Sequence, residues 1–282
     1  MKTSNRLLIG LAVLLIVIPI VVVAINVRLN YQNRKDFYQD YLENSKTFDK
    51  KSEGFKSLEM NKFIAINIPE ANDAFINIKI IKDQKSGIKI AADLADQFGF
   101  IVDNSGTLQI TMKNNNQKLP YSPTILIYSN NISKVSVAKV RALYIDINAD
   151  SLILDAKNMN HLSFESTARL KVLKINADHV NDIALNSKDI NAIEASINES
   201  EFRTAEISYN QLTLNSKGES KITITGDEKS PEKYKIDNLK VNTFGSAALS
   251  IENIKINNIS GNVSDETTVQ VPIKYLKQMF MK

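Results

Sequence analysis

Asp146, Asp150, Asp155, Asp178, Asp182 and Asp189 fall close together in the middle of the chain. Carboxylates at that density are what a glycoside hydrolase needs, one kept protonated as the acid and one ionised as base or nucleophile, at a controlled separation. His161 and His179 each fall near a presumed turn, and a metal centre or a nucleophile–base pair built on them would need a third convergent group. No such group is identifiable, and the chain contains no Gly-rich phosphate loop, no HExxH, no G-x-S-x-G and no EF-hand ligand run. We therefore expect no catalytic residues, no metal site, no cofactor and no enzymatic activity, with the histidines as turn or surface residues. One outward feature is repeated: Lys157, Lys188 and Lys217 each stand at the third position after a leucine of the set Leu154, Leu185 and Leu214. Stacked leucines would make these lysines a file of candidate ligand-facing residues for an acidic glycan, a lipid headgroup or a protein. The plainer alternative is a solvated edge that discourages aggregation.

The elements that must position these residues are strands. "FIAINI", "FINIKI", "GIKIAA", "TLQITM" and "TILIYS" each place apolar residues two apart between Asn, Asp, Gly or Pro. In the Leu143–Phe164 region the inward set is Leu143, Ile145, Ile147, Leu152, Leu154, Leu162 and Phe164, with Tyr144, Asp146, Ser151, Asp155, Ser163 and Glu165 facing out. The phrase Ile-Asn-Ala-Asp occurs at Ile147 and again at Ile175, and a related turn is expected at Ile207, spacings of 28 and 32. Val135, Phe164, Ile193, Ile222 and Ile251 recur at a constant 29. A helix-free unit of that length with three short strands predicts an all-β fold, a parallel β-solenoid (β-helix-like) domain over residues 55–271, with roughly seven rungs stacked at about 4.8 Å. Alternation by itself would equally suit an antiparallel sandwich or barrel. Over residues 272–282, Pro272 opens a helix with Ile273, Leu276, Met279 and Phe280 on one face, read as a cap on the last rung.

Residues 1–27 are of another kind. Leu7–Val27 is a continuous run without a charge, roughly 32 Å as a helix against a hydrocarbon core of about 30 Å. We read an N-terminal transmembrane helix, the rival being a cleavable signal peptide with Lys2 and Arg6 as its basic region. Residues 28–54 read as a short helical stalk in which Tyr31, Tyr38, Tyr41 and Leu42 approach helical spacing, Phe37 adds an aromatic, and Gly54 stops the run. The net charge of +4 comes from the membrane flanks, since residues 1–35 hold five basic residues and no acid. The remainder is close to neutral, which removes the electrostatic case for nucleic acid as a partner. With no cysteine, disulfides, thiol catalysis and cysteine-ligated metals are excluded.

"FIAINIP", "GIKIAADLADQFGFIVDNSGTLQITMK" and "SPTILIYSNNISKVSV", followed by repeated short strands, resemble the auto-transporter adhesin head family, the GIN domain, over about residues 60–262. The resemblance implies a solenoid-like all-β fold, an envelope or cell-surface setting and adhesion, and it carries over no catalytic residue. This chain departs from the pattern in being glycine-poor and in lacking a lipid-anchor cysteine. The expectation is a membrane-anchored protein of the bacterial cell envelope with its domain exported, periplasmic or at the surface. It would hold an envelope glycan, lipid or protein partner in a binding or structural role. The alternatives are a periplasmic carrier or scaffold for envelope lipids or glycans, and a glycan-processing β-helix enzyme.

Overall fold

A computed structural model describes residues 3–50, 54–113 and 119–280, without the side chains of Ser4, residues 29–40 and Leu42. It divides into two compact units, Met1–Lys46 and Thr47–Lys282. In the first, α1 (Thr3–Asn44) is continuous, with Pro19 inside it. Its stretch Asn5–Arg28 is long and apolar enough to cross a membrane, and its apolar side chains stand exposed, Leu7 at 72% and Val27 at 62%. Lipid is the solvent such a surface matches. Among the described residues no separate stalk helix follows. α1 itself continues to Asn44 and ends before Gly54, with the Ser45 hydroxyl donating back to the Tyr41 carbonyl at 2.7 Å. The side chains of Tyr31, Phe37, Tyr38 and Leu42, expected to form the stalk's aromatic face, lie outside the described residues.

The second unit is a curled, mostly parallel β-sheet. Its early strands are β1 (Phe55–Glu59), β2 (Ala65–Ile68), β3 (Phe75–Lys82), β4 (Gly87–Ala91), β5 (Phe98–Val102), β6 (Thr107–Met112), β7 (Thr124–Ser129) and β8 (Lys134–Ala138). β9 (Ala142–Met159) is followed by β10 (His161–Phe164), β11 (Arg169–Val180), β12 (Ile183–Leu185), β13 (Asp189–Asn198), β14 (Glu201–Ala205) and β15 (Tyr209–Lys217). The last are β16 (Lys221–Thr225), β17 (Lys235–Phe244), β18 (Ala248–Glu252), β19 (Lys255–Asn262), β20 (Thr268–Gln270) and the helix α2 (Ile273–Phe280).

These strands form two ladders. The first runs β1-β4-β7-β3-β9-β10-β12-β14-β16-β18-β20 and the second β5-β6-β2-β8-β9-β11-β13-β15-β17-β19; β9 belongs to both, its first half in one and its second half in the other. Pairing is parallel throughout except β1 with β4, β4 with β7, and β5 with β6. Alternation sends one side of each ladder into a shared apolar interior, and all seven predicted inward residues of the Leu143–Phe164 region are buried. Each large side chain in this interior, such as Phe164 or Phe202, contributes about 1.5–3 kcal/mol by leaving water. Ser163 departs from the expected outward set. It stands in the outward column, yet is 1% exposed because the Asn186 amide covers it and donates to its hydroxyl at 2.9 Å.

The rung is shorter than the sequence period. Leu152, Leu173, Ile193, Leu212, Leu239 and Ile259 face one another on successive strands of the second ladder, so the numbering advances by 21, 20, 19, 27 and 20. Each turn of the chain therefore has two strands, not three. The long step holds the loop after β16, where Asp227 accepts from the amides of Lys229 and Ser230 and from the Lys233 ammonium. A stride of 29 is about one and a half rungs, so Val135, Phe164, Ile193 and Ile222 alternate between the ladders. Ile251 stays on the ladder of Ile222 because the inserted loop lengthens that rung.

The repeated Ile-Asn-Ala-Asp is not a turn. Ile147 pairs with Ile80 in the first ladder, whereas Ile175 pairs with Leu154 in the second. The recurring bend, which returns the chain from second ladder to first, is made by Lys139, Asn158, His179, Glu199, Gly218 and Gly245, all with positive φ. These align because the residues preceding them, Ala138, Lys157, Asp178, Asn198, Lys217 and Phe244, are register partners. At the far end α2 lies across β19. It buries Tyr275 and Met279, while Ile273 and Phe280, expected on its packed face, are 71% and 60% exposed. The Tyr275 hydroxyl accepts from the Ile256 amide at 2.9 Å and donates to the Ile254 carbonyl at 3.0 Å, taking the place of a further strand.

Candidate functional site

In-register stacking places like positions above one another at about 4.8 Å. On the outer side of the second ladder this produces a column wholly of polar residues: Gln109, Asn67, Ser136, Asp155, Asn176, Ser196, Asn215, Asn242 and Asn262. Neighbouring amides bond along the stack, Asn67 to Gln109 at 2.7 Å, Asn176 to Asp155 at 2.7 Å and Asn242 to Asn215 at 2.8 Å. Ser136 and Ser196 separate these pairs with side chains too short to continue the chain of bonds. A second column, nearer the recurring bend, holds Lys157, Asp178, Asn198 and Lys217. Between the two runs a trough of about 560 Å³. It begins at Asn67 and ends at Asn215 and Lys217; the short outward side chains of Ser136 and Ser196 keep it open, while Ala156 and Ala177 border it from strand positions whose side chains turn into the core.

Its electrostatics are settled by hydrogen bonds. Asn198, His179 and Lys157 donate to Asp178 and hold its carboxyl at about 2. Burial pushes Asp155 up, but donors from Lys134 and Asn176 outweigh that and leave it below the usual carboxylate value. Both are therefore ionised at neutral pH. A general acid, the partner that glycoside hydrolysis requires, has no candidate here. The trough offers donors, acceptors and paired charges to a bound molecule.

Of the three candidate lysines, Lys157 and Lys217 line the trough, in one column with Asp178 and Asn198 between them. Lys188 lies in the turn from β12 to β13, at the other bend of the rung, so the three form no file. The aspartates are likewise dispersed. Asp155 faces the trough, and Asp146 sits on the first ladder, paired with Lys79 at 3.2 Å and accepting from Thr167 at 2.9 Å. Asp182 is gripped by the Arg203 guanidinium and by His161 Nδ1 at 2.6 Å. That His–Asp pair resembles half of a nucleophile-activating relay, but Arg203 neutralises the carboxylate, and the Tyr144 ring lies against the imidazole, tilted by 50° at a centroid distance of 5.3 Å. His179 is held between Asp178 and Glu199, each at 2.8 Å. Among the described residues no cluster of three metal-ligating side chains occurs.

Lys89 escaped the sequence reading. Alternation with Ile88 and Ile90 would turn it outward, yet it is fully buried because the segment 47–50 lies over β4. Its ammonium donates to the carbonyls of Thr47 at 2.8 Å and Lys50 at 2.5 Å, beside the rings of Phe48 and Tyr128. Burial pushes its pKa down, against the opposing charges of Asp83 and Asp49. A lysine so lowered suits Schiff-base chemistry. Here carbonyl acceptors and the Phe48 ring close over it, and the arrangement acts as a clamp, aided by Asp83, which accepts from the Phe48 amide at 2.9 Å.

No family model matches the chain, and no curated protein matches it. Solved structures do resemble it. One is described as a putative adhesin from Bacteroides fragilis NCTC 9343, with 14% identity, 77% of this chain and 95% of that chain covered, and a TM-score of 0.48. Another of that description, from Parabacteroides distasonis ATCC 8503, has 14% identity, coverage of 80% and 99%, and a TM-score of 0.45. A third, from the same organism, is described as a putative lipid binding protein, with 14% identity, coverage of 77% and 92%, and a TM-score of 0.41.

Proposed function

We propose that this chain is a membrane-anchored protein of the bacterial cell envelope, of GIN-domain type. Its solenoid head is exported and binds an extended polar envelope component, such as a glycan strand, along the trough without transforming it. The observation that carries this reading is the in-register column from Asn67 to Asn215, which repeats hydrogen-bonding groups rung by rung beside carboxylates held ionised. A polymer with hydroxyls at a comparable interval meets such a column in the same way at each step. The anchor is the stretch Asn5–Arg28, and residues 55–271 are the head, closed at its end by α2. A carrier for amphiphiles is disfavoured because the interior between the ladders is filled by buried Phe164, Phe202, Ile222 and their neighbours.

The test is a glycan array probed with the full chain in nanodiscs, beside Ser196→Trp, which fills the trough from a half-buried outer position. Binding by the wild type that Ser196→Trp abolishes supports the reading. Equal binding by both, or binding by neither, removes the trough from it. Protease treatment of whole and permeabilised cells decides the compartment: digestion only after permeabilisation replaces surface adhesion with a periplasmic role.

A further inference from the structure

The ends of the stack are treated unequally, and the difference points to a partner. β1 and β20 terminate the first ladder, β5 and β19 the second. Exposed strand edges invite pairing unless charge, shortness, proline or a covering element blunts them. β1 carries the exposed charges Lys56 and Glu59; β20 is three residues long with Pro272 close behind; β19 lies under α2, with Tyr275 bonding its backbone. Among the described residues β5, Phe-Gly-Phe-Ile-Val, has none of these protections.

The backbone phase of β5 is fixed by its hairpin with β6. Asp103 N–H donates to the Thr107 carbonyl at 3.0 Å and Lys113 N–H to the Gln97 carbonyl at 2.9 Å, so Gly99 and Ile101 turn their amides and carbonyls towards β6. Phe100 and Val102, with the Phe98 carbonyl, therefore face away, and among the described residues no strand meets them there. The Phe98 amide is already committed to the Ala95 carbonyl. Phe100 and Val102 are only half-buried where the apolar interior reaches this end, and Ile101 is 68% exposed.

We propose that two copies of this chain associate through β5, antiparallel, across a two-fold axis at Phe100. The Phe100 amides and carbonyls then bond reciprocally, and each Val102 N–H donates to the other copy's Phe98 carbonyl. The strand has no charge to oppose itself. In this register Gln97 faces Asp103 and Asp96 faces Asn104 of the second copy, so like charges do not meet. Asp103 is moreover engaged by Ser105, Thr107 and Gln109. A second copy is favoured over an unrelated strand because every chain supplies this neutral, self-complementary edge, and anchoring in one membrane raises its local concentration. The covered β19 end prevents growth from the other side, so association closes at two copies.

The chain lacks cysteine, so single introduced thiols report the pairing. Opposed residues of a hydrogen-bonded antiparallel pair have Cα atoms about 5.5 Å apart, within disulfide reach. Full-length Phe100→Cys in lipid vesicles is expected to oxidise to a disulfide dimer, and exposed Ile101→Cys to cross-link with a short bis-maleimide, whereas Lys56→Cys on β1 does neither. Val102→Pro removes an edge amide while leaving the β6 ladder intact. Losing its two interchain bonds, at about 1 kcal/mol each, weakens dimerisation roughly 30-fold in sedimentation of the detergent-solubilised chain. Unchanged circular dichroism and melting confirm that each variant is folded. Cross-linking of folded Phe100→Cys and Ile101→Cys no faster than Lys56→Cys, or sedimentation that Val102→Pro leaves unaltered, overturns the proposal.

Discussion

Replacing Tyr275 by phenylalanine removes one oxygen and leaves two backbone groups, one in β19 and one just before it, without their partner. The ring stays in place, 4% exposed, so its apolar burial is kept. What is lost are the bonds with the Ile256 amide at 2.9 Å and the Ile254 carbonyl at 3.0 Å, on residues each 5% exposed. An orphaned buried donor or acceptor costs about 1–3 kcal/mol. Because the terminal rung can admit some water, the lower part of that range applies, about 2–3 kcal/mol for both. If the unit unfolds cooperatively, a domain of this size loses roughly 2–4 °C of Tm per kcal/mol, hence about 4–12 °C. If instead the last rung frays by itself, as stacked repeats allow, Tm moves little and hydrogen exchange at the Ile256 amide accelerates roughly 30- to 150-fold. Melting and exchange on the same samples separate the two cases. A variant unchanged in both would show that α2 covers β19 without stabilising it, and the reasoning would fail.

Three further outcomes are expected. Ser216→Ala should stabilise the domain by about 1 kcal/mol in urea unfolding, because the Ser216 hydroxyl is buried with no hydrogen-bond partner among the described residues; a lower midpoint would mean that the hydroxyl is satisfied after all. Gly226→Ala should cost about 3 kcal/mol or more, since its Cβ would stand 1.9 Å from the Asn253 carbonyl oxygen, and a neutral result would show that this bend can shift. Asp178, depressed from 3.8 to about 2, contributes stability that is complete above its ordinary value and is lost as pH falls through about 2. Asp178→Asn should therefore flatten the acid limb of the stability curve across that window, and an unaltered limb would refute the contribution.

Much of the inward face could be read from the sequence because alternation is a local property: Leu143, Ile145 and Ile147 need only their own strand to declare a side. Rung length is not local. Both ladders are written in Ile, Leu, Val and Phe, so a stride that hops between them finds the same residue types as one that stays on a single ladder. Nothing in Phe164 or Ile193 marks them as belonging to different ladders. The lysine file failed for the same reason. Lys188 follows Lys157 by about one and a half rungs, which puts it at the opposite bend, whereas Lys217 returns to the column of Lys157 after three rungs.

The trough was harder still to find. From Ser136 to Asn215 its column advances in steps of 19, 21, 20 and 19 and could be followed with the right period in hand. At the other end it passes from Asn67 to Gln109 and to Ser136 because β2 inserts between β6 and β8, an order no periodicity predicts. The composition of the column follows from electrostatics. Identical positions stacked at about 4.8 Å would set carboxylate on carboxylate if aspartate recurred, and amides can instead bond along the stack. The two aspartates bordering the trough stand in different columns, each with an asparagine on one side and a lysine to pair with, Asp155 with Lys134 at 2.6 Å and Asp178 with Lys157 at 3.2 Å. Such a surface is kept nearly neutral by the same stacking that makes it periodic. A ligand selected by it is recognised by the spacing of its hydrogen-bonding groups more than by its charge, which is why the glycan array and the trough-filling substitution bear more directly on function than reversing Lys157 or Lys217 would.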